Sequence, residues 1–381
     1  MHLKYYIMQR LSVVWCVVML FFSYGDGFGN PGIDSLRVLD WRGGATAAYT
    51  IIHDDLCNSA ANGIHRFADT IAYNRGIRFG AGAIVGSCVA KGDYMWDIMA
   101  RMVSHGHEIL SHSWSHGAAV DLGWVGENWD VERDVVNTKR VIEENVPGAE
   151  VVYMIFPYDA YSDARLGELS ENGYLASRSG RRQYVDRGVV VDFSNYDPFR
   201  SNLFDAFVSR EEQERLLAGR DSSPVSVYDN INDDIEIQHV DAAIAFGGWS
   251  IQELHSVDDE PPWGWGRMGV DRYRNLLDYV GNKVDRGLLW VDTPTAVIKY
   301  IMTREYIPEP VIEGEVIKFN VPGDFDGRYA TELTIEVAVN GDVFSITGDQ
   351  GGAVIQASEK SPGRFIMDIN PLYGDVELTV N

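Results

Sequence analysis

The residues of this chain best suited to chemistry gather in the stretch 104–116, which reads S-H-G-H-E-I-L-S-H-S-W-S-H. His112 and His116 stand four apart, and on a helical turn side chains at that spacing lie one above the other on one face. Two neutral imidazoles so placed can hold a single metal ion, zinc above all. A catalytic zinc takes three protein ligands and keeps one position for water. The acidic pair Asp54-Asp55, in Ile51-Ile-His-Asp-Asp55, offers the third ligand. One carboxylate can bind the ion while its neighbour takes the water's proton, which is the division of labour in metal-assisted hydrolysis. Each motif alone has a plainer reading, a surface histidine pair or a turn with two aspartates. Both, though, fall where a strand is predicted to end, Ala47–His53 in one case and His107–Leu110 in the other. Ligands of α/β sheets gather at the carboxyl ends of strands.

The elements that must carry these residues alternate from Arg37 to Thr303. The pattern predicts a helix over 60–75, a strand over 78–85, and an amphipathic helix over 94–104 with Met95, Ile98, Met99 and Met102 as core. It then predicts a charged helix over 131–145 stopped by Pro147-Gly148, and a strand over 149–155 that ends at Phe156-Pro-Tyr-Asp159. A helix over 162–172, a strand over 174–176, a strand over 249–255 and a helix over 271–285 follow. A buried strand over 288–291 precedes Thr293-Pro294, which opens a last helix with a capping residue and proline at the first position. The stretch 180–241 is polar and acidic without clean periodicity, and reads as an elaboration near the site. Strands alternating with helices argue a parallel α/β sheet closed or nearly closed into a barrel. Beyond the Pro308-Glu-Pro310 linker, short strand-like runs (312–321, 333–339, 343–346, 353–357, 365–369, 376–380) read as a small β sandwich, with Asn340-Gly341 as a hairpin signal. It reads as a structural cap rather than a sugar-binding module, because its strands show no obvious aromatic platform.

Composition narrows the partners. The 381 residues include 45% hydrophobic ones, enough for a sizeable core, and carry a formal charge of −24. That charge excludes nucleic acid and anionic membrane surfaces as natural partners and favours a neutral or cationic polymer. Lys4 and Arg10 followed by an apolar run from Leu11 to Phe22 predict a signal peptide over 1–25, hence a secreted or periplasmic protein with no membrane span after its removal. Cys57 and Cys88 remain; they form a disulfide if their strands are neighbours, or stay as two buried thiols.

The motif Ser-His-Gly-His-Glu-Ile-x-x-His-Ser-x-x-His with an upstream Asp-Asp closely resembles the NodB-type polysaccharide deacetylase family, over roughly Arg37 to Glu305. The resemblance implies a distorted, incomplete (β/α) barrel over 37–305, followed here by the accessory β domain at 311–381. It implies Asp55, His112 and His116 as ligands of a divalent metal, most simply Zn2+. Asp54 would be the general base and His255, at a strand end, the general acid. The Tyr158 backbone N–H would serve the oxyanion. The implied partner is an acetylated polysaccharide or oligosaccharide, N-acetyl before O-acetyl. His105 and His107 are expected to be structural. The family's Arg-x-Pro-Tyr motif departs here, with Ile155 at the arginine position. Arg178, in Ser177-Arg-Ser-Gly180, is expected to supply the missing guanidinium, paired with Asp192 or Asp197. Leu56 and Leu110 also replace smaller residues. Trp263 and Trp265, with Trp114, are candidate sugar platforms, or else cover the barrel rim; Trp124 and Trp129 lie in nearby loops. Two other readings stand beside the enzyme: a carbohydrate-binding protein that has lost turnover, and an amidohydrolase of another C–N bond.

Overall fold

The computed structural model describes residues 32–58, 61–178, 189–190, 193, 196–200, 235–260 and 267–381. The expected signal segment 1–25, Asp192, Trp263 and Trp265 lie outside the described residues.

The first strand, β1 (Gly32–Val38), pairs with the C-terminal part of the chain. The barrel is built around β2 (Ala47–Leu56), whose burial is nearly continuous. This is the pattern of a parallel strand covered on both faces. The sheet continues through β3 (Gly80–Ala83), β4 (Glu108–Ser111), β5 (Tyr153–Ile155) and β6 (Ala176–Arg178), all parallel. On the other edge of β2 lies β8 (Trp249–Leu254), bordered by the antiparallel β7 (Val189–Val190). The short β9 (Leu289–Val291) pairs with the start of β2. The order is β6-β5-β4-β3-β2-β8-β7. No pairing joins β6 to β7 among the described residues, so the curled sheet is a half-barrel rather than a closed ring.

Helices cover it. α1 (Asp69–Tyr73) continues a π turn at Ile64–Ala68; α2 (Val85–Lys91) and α3 (Tyr94–Ser104) follow β3. In α3 the side chains of Met95, Met99 and Met102 are buried, so the methionines are core. α4 (Thr138–Asn145) continues a π segment at Glu132–Asn137. Then come α5 (Asp163–Glu171), α6 (Ile235–Phe246), α7 (Val270–Asp285) and α8 (Pro294–Tyr306). The Thr293 hydroxyl accepts the Ala296 N–H and Pro294 occupies the first turn of α8, so that helix starts where its capping residues place it. Among the described residues, no helix is long and apolar enough to cross a membrane.

Several boundaries differ from expectation. The sixth strand lies at Ala176–Arg178 rather than 174–176, which places Arg178 inside the sheet. Beyond the barrel, the single strand expected over 312–321 is two, β10 (Val311–Glu313) and β11 (Val316–Lys318), turned at Gly314 with φ +67°. Asn340-Gly341 does not close a hairpin. It carries the chain from β12 (Leu333–Asn340) to β13 (Ile346–Gln350) in a different sheet. The tight hairpins lie at Gly351-Gly352, leading to β14 (Ala353–Gln356), and between β15 (Ser358–Ser361) and β16 (Arg364–Ile369). With β17 (Val376–Val380), these strands form two antiparallel sheets, β1-β12-β16-β15 and β10-β11-β17-β13-β14. They share a core that includes Ile335, Val337, Phe365, Ile369 and Leu378, and Tyr300 of α8 enters it from the barrel.

Candidate functional site

β2 delivers the acidic pair at its carboxyl end and β4 delivers the histidines just beyond its own. The small side chains of β3 make room between them. A Cβ on Gly82 would stand 2.7 Å from Ile155 Cδ1 and 3.2 Å from His112 Cβ, so glycine there lets the imidazole layer close in. The histidine pair is not helical, contrary to the spacing argument. His112 to His116 form a loop in which Ser113 (φ +62°) and His116 (φ +56°) are left-handed. The two rings still converge, edge to face with centroids 4.8 Å apart.

Asp55 Oδ1 lies 3.5 Å from His112 Nε2 and 3.3 Å from His116 Nε2. His112 donates its Nδ1–H to the Ile155 carbonyl at 2.9 Å, which leaves the Nε2 lone pair facing the carboxylate. Asp55 Oδ1 is buried and meets no hydrogen-bond donor. A buried anionic oxygen facing two imidazole nitrogens needs a cation between them, and one carboxylate with two imidazoles suits a divalent ion such as zinc. Burial alone would raise the Asp55 carboxyl; a protonated His112 beside it holds it below the usual carboxylate range, and a bound cation would take the place of that proton. Burial works the other way on His116, lowering its imidazole to about 4 with help from His112. His116 therefore offers a neutral ring at neutral pH, as a ligand must.

Asp54 points to the other side, into the hands of Arg178. The guanidinium reaches Asp54 Oδ1 from Nη1 at 2.8 Å and Oδ2 from Nη2, a bidentate pair. Its Nε donates to Asp159 Oδ1 at 3.2 Å, and Glu253 Oε2 lies 3.6 Å away. Burial would lower the Arg178 pKa, yet the carboxylates of Asp54, Glu253 and Asp159 hold it well above its usual value. The partner expected at Asp197 is not there: Asp197 accepts from Arg200 Nε at 3.0 Å and from the Phe199 N–H at 2.9 Å. Asp159 and Glu253 take that place, because β5 and β8 end on the same rim.

His255 follows β8 and is buried, with Glu253 Oε1 3.9 Å from its Nδ1. Its backbone is pinned by His53, which donates Nδ1–H to the His255 carbonyl at 2.7 Å and accepts from Tyr273 Oη at 3.1 Å. Burial lowers His53 to about 4, so it stays a neutral brace.

Asp54, Asp55, His112, His116, Tyr158, Asp159, Arg178, His255 and Trp124 line one pocket of about 280 Å3. Tyr158 has φ +61° and sets its ring 4.8 Å from His116 and 5.4 Å from Trp124. The six non-glycine residues with positive φ among the described residues are Asp55, Cys57, Ser113, His116, Tyr158 and Asp159. Backbone strain of about 1–3 kcal/mol each is concentrated at this pocket. Cys57, two residues past Asp55, is disulfide-bonded to Cys88 on α2, with their Cα atoms 5.0 Å apart.

Trp114 is not in the pocket, contrary to expectation. It packs against the core with its indole Nε1 beside Gly86. Among the described residues, the exposed aromatic lining the pocket is Trp124, 73% exposed. A second acid–histidine group, Asp69 with His105 and His107, is not a metal site. The Phe79 N–H occupies His107 Nδ1 at 3.2 Å, so the His107 Nε2–H faces Asp69, and Arg101 Nε holds the other carboxylate oxygen at 3.0 Å. Sequence reasoning missed Asp159 and Glu253, and placed Trp124 in a nearby loop without choosing it as a platform. Glu253 had a signal, since it lies two residues before His255 and a strand puts both on one face.

Residues 78–177 match the protein family described as Polysaccharide deacetylase. That segment is similar to the polysaccharide deacetylase family. It holds both histidines, Tyr158 and Asp159, while Asp54, Asp55, Arg178 and His255 lie outside it. A chitooligosaccharide deacetylase of Sinorhizobium fredii is 35% identical over 79 residues, which are 21% of this chain and 35% of that protein. The chain thus spans about a third of the length of this curated relative. Among solved structures, a domain of a multidomain xylanase from the hindgut metagenome of Trinervitermes trinervoides covers 66% of this chain and 90% of its own, at 15% identity and TM-score 0.37. A family 4 carbohydrate esterase from Streptomyces lividans, in complex with acetate, covers 65% of this chain and 92% of its own, at 11% identity and TM-score 0.37.

Proposed function

We propose that this chain is a secreted, metal-dependent carbohydrate deacetylase that hydrolyses an N-acetyl group, in preference to an O-acetyl ester, on an oligosaccharide or polysaccharide. The observation that carries the reading is the convergence of Asp55, His112 and His116 on one point, with Asp54 and His255 in the same pocket. Asp55 and the two imidazoles would hold a divalent ion, most simply zinc. When bound, such an ion makes a water acidic enough to ionise near neutral pH and polarises a carbonyl.

The chain's own residues then divide the proton work. Asp54, oriented by both arms of Arg178, removes the proton from the attacking water as its oxygen bonds to the acetyl carbon. The Tyr158 backbone N–H donates to the oxygen that becomes negative; one such donor is worth about 2.7–4 kcal/mol. His255 delivers a proton to the leaving nitrogen as the C–N bond breaks, giving acetate and a free amine. Trp124 presents a flat apolar face at the mouth, suited to a pyranose ring.

The family departure at Ile155 weighs toward a binding protein without turnover; Arg178 on Asp54 weighs against it. Acetate release from N-acetylglucosamine oligomers and from acetylated xylan, with and without chelator, tests the reading. Chelator-sensitive release from either supports it and identifies the linkage. No release from either, by protein carrying one metal per chain, would overturn it in favour of another amide or of binding alone.

A further inference from the structure

The loop between the two histidines has a support that no motif announces. Asp134 lies in the first turn of the helical segment that starts at Glu132, and its side chain is fully buried. Its Oδ1 accepts the Trp114 N–H at 3.1 Å, the Ser115 N–H at 3.4 Å and the Ser115 hydroxyl at 3.3 Å. Its Oδ2 faces the other way, taking the Asp130 N–H at 3.0 Å and Arg133 Nε at 3.1 Å. One carboxylate oxygen thus serves the histidine loop and the other serves the helix start.

We propose that Asp134 is a positioning residue for the metal centre, holding the residues between His112 and His116 so that both Nε2 atoms face Asp55. The loop needs such a hold. Ser113 and His116 both sit in the left-handed region, which a side-chain-bearing residue leaves when nothing restrains it. The other ties are the His116 N–H on Ser113 Oγ at 2.9 Å, and the Val85 and Gly86 N–H groups on the Ser113 and Trp114 carbonyls. Those carbonyl bonds grip the loop from the α2 side; Asp134 grips its N–H groups. With the carboxylate removed, the Trp114 and Ser115 N–H groups lose their shared acceptor and the His116 ring is free to swing from its neighbour.

The inference rests on the metal reading above, and the test separates the two. Zinc affinity of the apo protein is measured by competition with a chromophoric chelator, alongside the apo Tm, for wild type, Asp134→Ala, Asp134→Asn and Arg133→Ala. Loss of support behind metal ligands weakens binding roughly 10–100-fold, and that is expected for Asp134→Ala. Asp134→Asn keeps an oxygen for Trp114 and Ser115 but sets an amide against Arg133, so it should lower Tm while retaining affinity within about threefold of wild type. Arg133→Ala should likewise lower Tm and spare affinity. Should Asp134→Ala not fold, the Asn and Arg133 variants still decide. Affinity that falls in step with Tm across them would make Asp134 a helix cap only and overturn the proposal. Wild type that binds no zinc would overturn the metal reading and this inference together; wild-type affinity in Asp134→Ala would overturn only the latter.

Discussion

Arg178 is surrounded by more negative charge than it can neutralise: three carboxylates share one guanidinium in a fully buried position. Removing one partner of a buried pair costs about 3–5 kcal/mol, because the remaining charge is stranded. Arg178→Ala is therefore expected to lower Tm sharply and abolish turnover. Arg178→Lys, a point charge without a fork, should fold better yet remain slow because it cannot hold both Asp54 oxygens. Asp54→Asn tests the base directly: kcat should fall by roughly 10²–10⁴-fold with zinc still bound one per chain. Trp124 belongs to the opposite class. Its ring is 73% exposed, so Trp124→Ala should leave Tm unchanged while raising KM for long oligosaccharides, with little change in kcat. An unchanged KM would remove it from the binding surface.

At the scale of elements, two couplings position the site and stabilise the barrel. The Cys57–Cys88 bridge ties the end of β2 to α2, and the N-terminus of α2 in turn holds the histidine loop through Val85 and Gly86. The paired Cys57→Ser, Cys88→Ser variant should be less stable by about 2–4 kcal/mol, read from denaturant midpoints. At the opposite end of the barrel, Glu108 begins β4 and caps α8, its carboxylate accepting the Thr295 N–H at 3.3 Å and the Thr295 hydroxyl. Burial pushes Glu108 up to about 7. The folded state thus holds this proton more tightly than the unfolded chain, whose glutamates titrate near roughly 4.3. Its stabilising contribution is complete below the unfolded value and is lost as pH rises toward 7. The Tm of wild type relative to Glu108→Gln should decline across that window and level off above it. A pH-independent difference would show that the carboxylate stays ionised.

On the scale of the whole molecule, the C-terminal β unit is fastened to the barrel at both ends of the chain. β1 pairs along β12 from Gly32↔Asn340 to Val38↔Ile335. Tyr300 of α8 donates to the Leu39 carbonyl at 2.8 Å, and Arg42 pairs with Glu332. Truncation at Pro310 would leave β1 unpaired and Tyr300 and Trp290 uncovered. The shortened protein is expected to lose cooperativity in thermal unfolding or to aggregate, rather than to behave as an independent barrel. A truncated form with wild-type Tm would show the β unit to be an appended module.

The residue types and local periods of the chain were enough to set the Asp54-Asp55 pair beside His112 and His116 and to predict an α/β sheet with a β unit after it; the choice of Asp55 as the ligand came from the family resemblance. Helix starts with strong caps, such as Thr293-Pro294, were equally legible, because capping is decided within a few residues. Tertiary structure alone decided the rest. Arg178, expected only as a stand-in for the family's missing arginine, meets Asp54 across 124 positions, with Asp159 and Glu253 as unforeseen partners, and Asp134 reaches the histidine loop from 20 residues downstream. Neither spacing leaves a periodic trace. The same limit explains two of the misreadings. Asn340-Gly341 has hairpin chemistry, yet the strands on either side join different sheets. The i, i+4 histidines suggested a helix, yet a loop with two left-handed residues brings them together. Local preference proposes a conformation for a few residues; burial, charge pairing and sheet pairing across the whole chain determine which one is kept.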